Sequence, residues 1–351
     1  MRNATEEISM RRGSSGKSKP FWLVGLFLLL PLGQSMNARP VPLDLLRFDP
    51  LKVNPVRPLV AAVTGMSVDQ PWDYQVQVFD FNGQVVTNMP VGKYPLALGW
   101  NGSGNKLYVI FGQEEVGVID FTGTRIVKKK LGRSESGAGE PAYINDILGR
   151  ANVLLRSEEW MDPAKKRSRR LWSLFPYQEG HNKWSSTPLF EPLPVYRHAL
   201  LEPSLDQNSY VLIKDNCVKS LDLDPVRFRS IWCSSHDEVW PVKIAANEGL
   251  LSAVLNNGAV LLWLKSGDMI RIGSMPDKPI TSMIPLPQGL LWTGIPGLDK
   301  LHCLSTGENN RVVRKVDEGI YAMKAGHGKV FIQTYTDRVI VLDGRDIRCG
   351  N

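Results

Sequence analysis

The chain has 351 residues, which is enough for one large domain or two ordinary ones. Hydrophobic residues make up 43% and aromatic residues 9%, and this composition excludes a chain that is disordered throughout. The net charge is +7, but five of the 42 basic and two of the 35 acidic residues fall in residues 1–35, which leaves +4 for the rest. Such a mild excess does not indicate a nucleic-acid partner.

Residues 1–35 have the layout of an export signal. An uncharged apolar run covers residues 21–33 and is shorter than the roughly 20 residues that a membrane-spanning helix needs. Basic residues precede it, and Gly33 and Ser35 provide the small side chains that signal peptidase requires. We therefore predict a signal peptide cleaved after Ser35, and a periplasmic or extracellular protein. The alternative is an uncleaved N-terminal membrane anchor.

The chain from residue 36 to residue 351 repeats a pattern of short apolar strands and tight turns. Residues 90–132 contain four such strands, separated by turns rich in Gly, Asn and Thr. Four antiparallel strands joined in this way are typical of one β-propeller blade. Similar units recur at a spacing of roughly 37 to 55 residues, and the period expected for blades is roughly 40–50. The sequence predicts an all-β fold, a single β-propeller of about seven blades. The first clear strands of the units are Leu59–Val63, Leu96–Trp100, Tyr143–Arg156, Arg197–Leu201, Val242–Ala246, Thr281–Pro285 and Ile320–Ala325.

The last unit has three good strands, and one strand is left over at the other end of the chain. Pro42–Phe48 is apolar at strand length and belongs to no unit. Pairing it with the last unit would close the ring and leave no long exposed edge. We predict this closure.

Residues 90–132 resemble the YVTN type of propeller repeat. The residues that carry the resemblance are Val91–Pro95, Asn105–Val109, Val116–Asp120 and Thr122–Val127. The resemblance covers one unit well and implies a fold, with no activity attached. The family includes surface-layer and periplasmic binding proteins and is close to lactonase-like propellers.

Two of the four cysteines are placed to form a disulfide. Cys217 and Cys233 are symmetric about Pro225, so a hairpin centred there would bring them opposite each other, at the distance that a disulfide needs. An exported protein would carry this bond oxidised. A second bridge between Cys303 and Cys349 is an open alternative to two free thiols.

The sequence contains no recognisable catalytic, metal or cofactor motif. The five histidines form no short-range ligand pair, and no nucleophile elbow or glycine-rich phosphate loop occurs. Asp80, Asp120, Asp222 and Asp343 end apolar strands, where an Asp side chain usually accepts from turn amides. We predict no catalytic residue, no bound metal and no cofactor.

Two segments stand out as candidate binding surfaces. The first is a basic loop with Trp160, Lys165, Lys166, Arg167, Arg169 and Arg170. It could bind an anionic envelope component or an acidic protein surface, or could be a solvated hairpin tip. The second is residues 176–194, with Tyr177, Trp184 and Phe190. Its aromatic side chains could anchor a partner, or could fold back over their own blade.

Three functional hypotheses follow from these observations. The first is an exported, non-catalytic propeller that binds another protein or an anionic envelope component. The second is a lactonase-like or quinoprotein-like enzyme with its site at the channel mouth. The third is a structural subunit of an envelope complex, tethered through residues 21–33. Propellers serve all three roles, so the fold does not decide among them.

Overall fold

A computed structural model of the chain describes seventeen stretches of the domain. They are residues 49–65, 74–92, 95–111, 115–123, 126–133, 143–150, 153–161, 170–178, 183–185, 187–194, 202–203, 209–235, 238–275, 280–294, 298–306, 310–347 and 349. By its internal contacts the chain divides into Met1–Arg39 and Pro40–Asn351, and every described residue belongs to the second unit. The predicted signal segment, residues 21–33, and the predicted closing strand, Pro42–Phe48, lie outside the described residues. In the described part, no helix has the length and apolar character needed to cross a membrane.

The described residues form seven antiparallel sheets, taken here as sheets 1 to 7 in chain order. Sheet 1 contains β1 Leu51–Val53, β2 Leu59–Thr64, β3 Gln75–Asp80 and β4 Val85–Pro90. Sheet 2 contains β5 Pro95–Trp100, β6 Lys106–Phe111, β7 Glu115–Asp120 and β8 Val127–Arg133. Sheet 3 contains β9 Tyr143–Arg150, β10 Val153–Met161, β11 Arg170–Gln178, β12 Lys183–Trp184 and β13 Leu193–Pro194.

The remaining four sheets follow the same order. Sheet 4 contains β14 Glu202–Pro203, β15 Ser209–Lys214, β16 Cys217–Leu223 and β17 Val226–Cys233. Sheet 5 contains β18 Pro241–Asn247, β19 Leu250–Leu255, β20 Ala259–Trp263 and β21 Met269–Ser274. Sheet 6 contains β22 Ile280–Leu286, β23 Gly289–Gly294, β24 Lys300–Ser305 and β25 Arg311–Lys315. Sheet 7 contains β26 Ile320–Gly326, β27 Lys329–Thr334 and β28 Val339–Asp343. Apart from β13, which pairs with β11, the strands of each sheet pair with their neighbours in the chain, as the repeat pattern predicts.

Apolar packing fills the space between every pair of consecutive sheets. One buried cluster joins sheets 1 and 2, the next joins sheets 2 and 3, and the series continues to sheets 6 and 7. A seventh cluster joins sheet 7 to sheet 1, where Phe331 packs with Leu51, Val60 and Phe79. Central strands such as β20 are therefore buried on both faces, which is why they are continuous apolar runs in the sequence.

Side chains of the first strands, and of the turns that follow them, form hydrogen bonds between neighbouring sheets at four junctions. Asn54 Nδ2 donates to Gly104 O at 2.7 Å, which connects sheet 1 to sheet 2. Asn247 Nδ2 donates to Pro285 O at 3.1 Å between sheets 5 and 6, and Ser282 Oγ donates to Met323 O at 3.2 Å between sheets 6 and 7. His327 Nε2 lies 2.8 Å from Asn54 O and connects sheet 7 to sheet 1. These bonds satisfy buried or half-buried backbone carbonyls, which would otherwise destabilise the fold.

A β-bulge recurs at the second residue of the first strand in four sheets. The register slips by one residue after Pro95, Pro241, Ile280 and Ile320, in sheets 2, 5, 6 and 7 respectively. A bulge of this kind increases the local twist and turns the extra side chain away from the ladder. The recurrence means that these four first strands share one backbone geometry.

Both ends of the described chain are attached to sheet 7. Asp49, immediately before β1, pairs with Lys324 of β26 at 2.8 Å and with Lys52 at 3.2 Å. Near the other end, Ile347 and Cys349 lie in the apolar cluster between sheets 6 and 7. Sheet 7 has three strands among the described residues, the others four or more.

Candidate functional site

The connection between β10 and β11 carries the predicted basic loop. β10 and β11 pair up to Met161 and Arg170, with Trp160 opposite Leu171. Trp160 therefore lies in β10, whereas the sequence placed it in the loop, and Arg170 is the first residue of β11, where the loop ends. The strands continue further than expected because the backbone ladder can extend through a polar sequence when no turn residue interrupts it. Lys165, Lys166, Arg167 and Arg169 lie in the connection, outside the described residues.

The β10–β11 hairpin is longer than its counterparts. β10 and β11 have nine residues each, whereas β6 and β19, the corresponding strands of sheets 2 and 5, have six. β10 begins three residues after the end of β9, as β19 does after the end of β18, so the extra residues of β10 lie at the end next to the basic connection. Three residues of antiparallel strand span about 10 Å. The hairpin thus carries its basic connection about 10 Å further than the equivalent turns.

Tyr177 and Trp184 pack together between sheets 2 and 3. They are direct partners in the β11–β12 pairing, with ring centroids 5.0 Å apart, and Tyr177 also meets Tyr108 at 5.6 Å. Trp184 is only 3% exposed, whereas Tyr177 is half-buried. The segment that the sequence presents as a long loop is partly strand, because both β12 and β13 pair with β11.

Phe190 lies on the other side of sheet 3. Its ring meets Phe228 of β17 edge-to-face at 5.5 Å, and its carbonyl accepts from Ser173 Oγ at 3.0 Å. The described part of residues 176–194 is thus packed onto its own sheet and the two adjacent ones. Binding of a partner by the aromatic side chains of this segment stays a prediction. Tyr177 and Phe190 are the ones that are partly exposed and could contact a partner.

Both cysteine pairs are joined. Cys217 and Cys233 are direct partners in the β16–β17 ladder, with Cα atoms 4.4 Å apart, as the hairpin spacing predicts. Cys303 and Cys349 form the second disulfide, with Cα atoms 5.4 Å apart. The second pair is buried, at 1% exposure for each residue.

The acidic residues that end the strands are used locally. Asp80 Oδ1 accepts from the amides of Asn82 and Gln84, and Asp120 Oδ1 accepts from the amide of Thr122. The hydrogen bond from the Gln84 amide is the main reason that the pKa of Asp80 is below its ordinary value. Within the described stretches, no three His, Cys, Asp or Glu side chains are grouped so that they could hold a metal ion.

The junction of sheets 7 and 1 holds a group of tyrosines that the sequence did not single out. Tyr321 and Tyr335 pack edge-to-face at 5.4 Å, and burial raises the pKa of Tyr335. Burial and, secondly, the carboxylate of Asp337 raise the pKa of Tyr74. Asp337 has a positive φ of 64°, and its Oδ2 accepts from Gly65 N at 2.8 Å. No sequence motif marks this group, because its members come from opposite ends of the chain.

A group of charged side chains lies where β1 and β26 meet. Burial opposes ionisation of Asp49, but the ammonium groups of Lys324 and Lys52 outweigh it and hold the pKa of Asp49 below its ordinary value. The Asp49 side chain is 26% exposed. This group has the chemistry of a structural ion pair between sheets 7 and 1.

No family model and no curated protein matches the sequence. Solved structures do match the fold. The β-propeller domain of Cps50 (Swd1) from Myceliophteria thermophila is 9% identical, with 84% of this chain and 96% of that chain covered and a TM-score of 0.51. BamB from Moraxella catarrhalis is also 9% identical, with 83% and 92% covered and a TM-score of 0.50. At this identity the likeness shows the fold alone: the domain is all-β and of the β-propeller type.

Proposed function

We propose that the chain is an exported β-propeller of seven blades that acts as a non-catalytic protein-binding module of the cell envelope. In this proposal sheets 1 to 7 are the blades, the β10–β11 hairpin is the main contact for the partner, and residues 1–35 direct export. The YVTN-like unit at residues 90–132 corresponds to sheet 2.

A closed ring is supported by packing at the junction of sheets 7 and 1. That junction has an apolar cluster, the bond between His327 and Asn54, and the ion pair between Lys324 and Asp49. It therefore has apolar packing and a hydrogen bond to a backbone carbonyl, as the junction of sheets 1 and 2 does, and an ion pair in addition. Sheet 7 has three strands among the described residues, and in this proposal Pro42–Phe48 supplies the fourth.

The length of the β10–β11 hairpin is the observation that carries the binding proposal. A hairpin ladder that extends about 10 Å beyond its counterparts is not needed to complete the sheet, and a surface for a partner explains it. Its connection, residues 162–169, holds four basic residues and one Asp. The partner surface should accordingly be acidic, and electrostatic attraction would speed the encounter.

Charge reversal tests this proposal. We would replace Lys165, Lys166 and Arg167 together by Glu and measure retention of envelope proteins on the immobilised domain. Retention of a defined protein should fall at least tenfold, and high salt should have the same effect on the unaltered domain. The matched control reverses Lys300, Arg314 and Lys315, exposed basic residues of sheet 6. Equal retention by both variants would refute the hairpin as the contact.

The N-terminal residue of the native protein distinguishes this proposal from the tethered-subunit hypothesis, in which residues 21–33 are not removed. Mass spectrometry after cell fractionation should find a chain that begins at Met36 in the soluble exported fraction. An intact N-terminus in membranes would replace the free module by a tethered one, and a full-length cytosolic chain would refute export.

A further inference from the structure

The two disulfides differ in their surroundings. Cys303 and Cys349 are each 1% exposed and lie inside the apolar cluster between sheets 6 and 7. Cys217 is half-buried and Cys233 is exposed, at the end of the outermost strand of sheet 4. Cys217–Cys233 is therefore the disulfide that a thiol in solution can reach without any opening of the fold.

Two lysines lie beside Cys217. Lys214 is its direct partner across the β15–β16 ladder, and Lys219 follows two residues later on the same face of β16. Both ammonium groups pair with Asp215, at 2.8 Å and 2.7 Å. One carboxylate therefore faces two cations, and the local excess of positive charge favours a thiolate at Cys217.

We propose that Cys217–Cys233 is a site of thiol–disulfide exchange with low-molecular-weight thiols, attacked at Cys233 and opened with Cys217 as the leaving thiolate. The incoming thiolate forms a bond to Sγ of Cys233 while the bond between the two cysteine sulfurs breaks. The electron pair of the broken bond stays on Sγ of Cys217, beside Lys214 and Lys219. A second thiolate then attacks the sulfur of the bound thiol, and the products are an external disulfide and the thiolate of Cys233. The proposal goes beyond partner binding and does not depend on it.

The folded domain can hold the opened site in place. β17 stays paired with β16 from Val226 opposite Leu223 to Trp232 opposite Val218, so release of the last pair leaves the rest of the ladder intact. Phe228 also keeps its contact with Phe190. The mixed disulfide therefore forms on a folded protein and can close again, because Cys217 remains opposite Cys233.

The experiment uses the native protein with both disulfides oxidised, and reduced glutathione as the thiol. Aliquots are quenched with acid, alkylated and mapped by peptide mass spectrometry. The glutathione adduct should appear on Cys233 with Cys217 alkylated, at least about tenfold faster than any opening of Cys303–Cys349. An adduct on Cys217, an even division between the two cysteines, or equal rates at both disulfides would overturn the proposal.

The lysines give a second, independent readout. The double substitution Lys214→Gln and Lys219→Gln should slow exchange about three- to tenfold, because the leaving thiolate loses its stabilising charge. Arg314→Gln with Lys315→Gln, on the outer strand of sheet 6, is the matched control and should leave the rate unchanged. The buried pair in the same sample reports any general loss of folding. An unchanged rate in the Lys214 and Lys219 variant would show that the cations play no part and would overturn the assigned direction.

Discussion

Asn54 offers the most direct test of how the sheets are held to one another. Its side chain is fully buried and makes three hydrogen bonds. Nδ2 donates to Gly104 O at 2.7 Å, and Oδ1 accepts from the amides of Val56 and Arg57 at 2.9 Å and 2.7 Å. Asn54→Ala leaves a buried carbonyl without its donor, at a cost of about 1–3 kcal/mol, and removes two bonds worth about 0.5–1.5 kcal/mol each. We expect the free energy of unfolding to fall by about 3 kcal/mol.

The assay is urea unfolding followed by tryptophan fluorescence, with the midpoint compared between variants. Asn54→Asp is informative because it keeps the acceptor but places a carboxylate against Gly104 O, so it should destabilise at least as much as Ala. Asn82→Ala is the control, because Asn82 is an exposed turn residue whose side-chain bond to Asp80 is 3.4 Å long. If Asn54→Ala stays within about 0.5 kcal/mol of the unaltered protein, the reasoning about inter-sheet bonds is refuted.

Three further perturbations have defined outcomes. Gly149→Ala would place a Cβ atom 1.9 Å from a backbone carbonyl of sheet 2, so it should lower the free energy of unfolding by at least about 3 kcal/mol. Gly328→Ala, at a φ of 70° in open space, should lower the free energy of unfolding by only about 1 kcal/mol. If urea unfolding shows the same loss of stability for both variants, the close approach of Gly149 to sheet 2 is contradicted. The pKa of Asp49 is lower in the folded than in the unfolded chain, so its ion pairs stabilise the fold above pH 3.8, and this contribution is lost as the pH falls through the folded-state pKa. Asp49→Asn should therefore destabilise by about 1–2 kcal/mol at neutral pH and converge with the unaltered protein in acid; a constant difference across the pH titration would exclude this mechanism. Replacing Cys303 and Cys349 together by Ala removes a cross-link across a sequence separation of 46. The free energy of unfolding should fall by about 4 kcal/mol, measured by thermal and urea unfolding. An unchanged free energy of unfolding would show that the two cysteines are not bonded.

Local signals in the sequence were sufficient to predict most of the strands. The alternation of apolar runs with Gly, Asn and Asp turns predicted most strands to within a few residues, because each turn is formed by residues that are neighbours in the chain. Cys217 and Cys233 were predictable for the same reason, since a single hairpin relates them. The whole of β1 was missed, since Leu51–Val53 is short and its strand character depends on pairing with β2. Tyr143–Arg156, predicted as one strand, is divided between β9 and β10.

Long-range features could not be predicted. Tyr74 and Asp337 come together only when sheet 7 meets sheet 1, and no spacing rule links them in the sequence. The burial of Trp184 depends on Tyr108, which belongs to another sheet. The extension of β10 to Met161 depends on cross-strand pairing with β11, and the polar residues of this stretch gave no sign of it.

The bulge that recurs in the first strands provides a common reference position for aligning the sheets. Counted from the bulge, Ala97, Lys243, Ser282 and Ala322 occupy one equivalent position in sheets 2, 5, 6 and 7. Side chains at a single backbone position thus range from a methyl group to a long amine. The units can be superimposed on this landmark even though their side chains have diverged, so a comparison of the four units, position by position, can separate what the architecture requires from what each unit has acquired for itself.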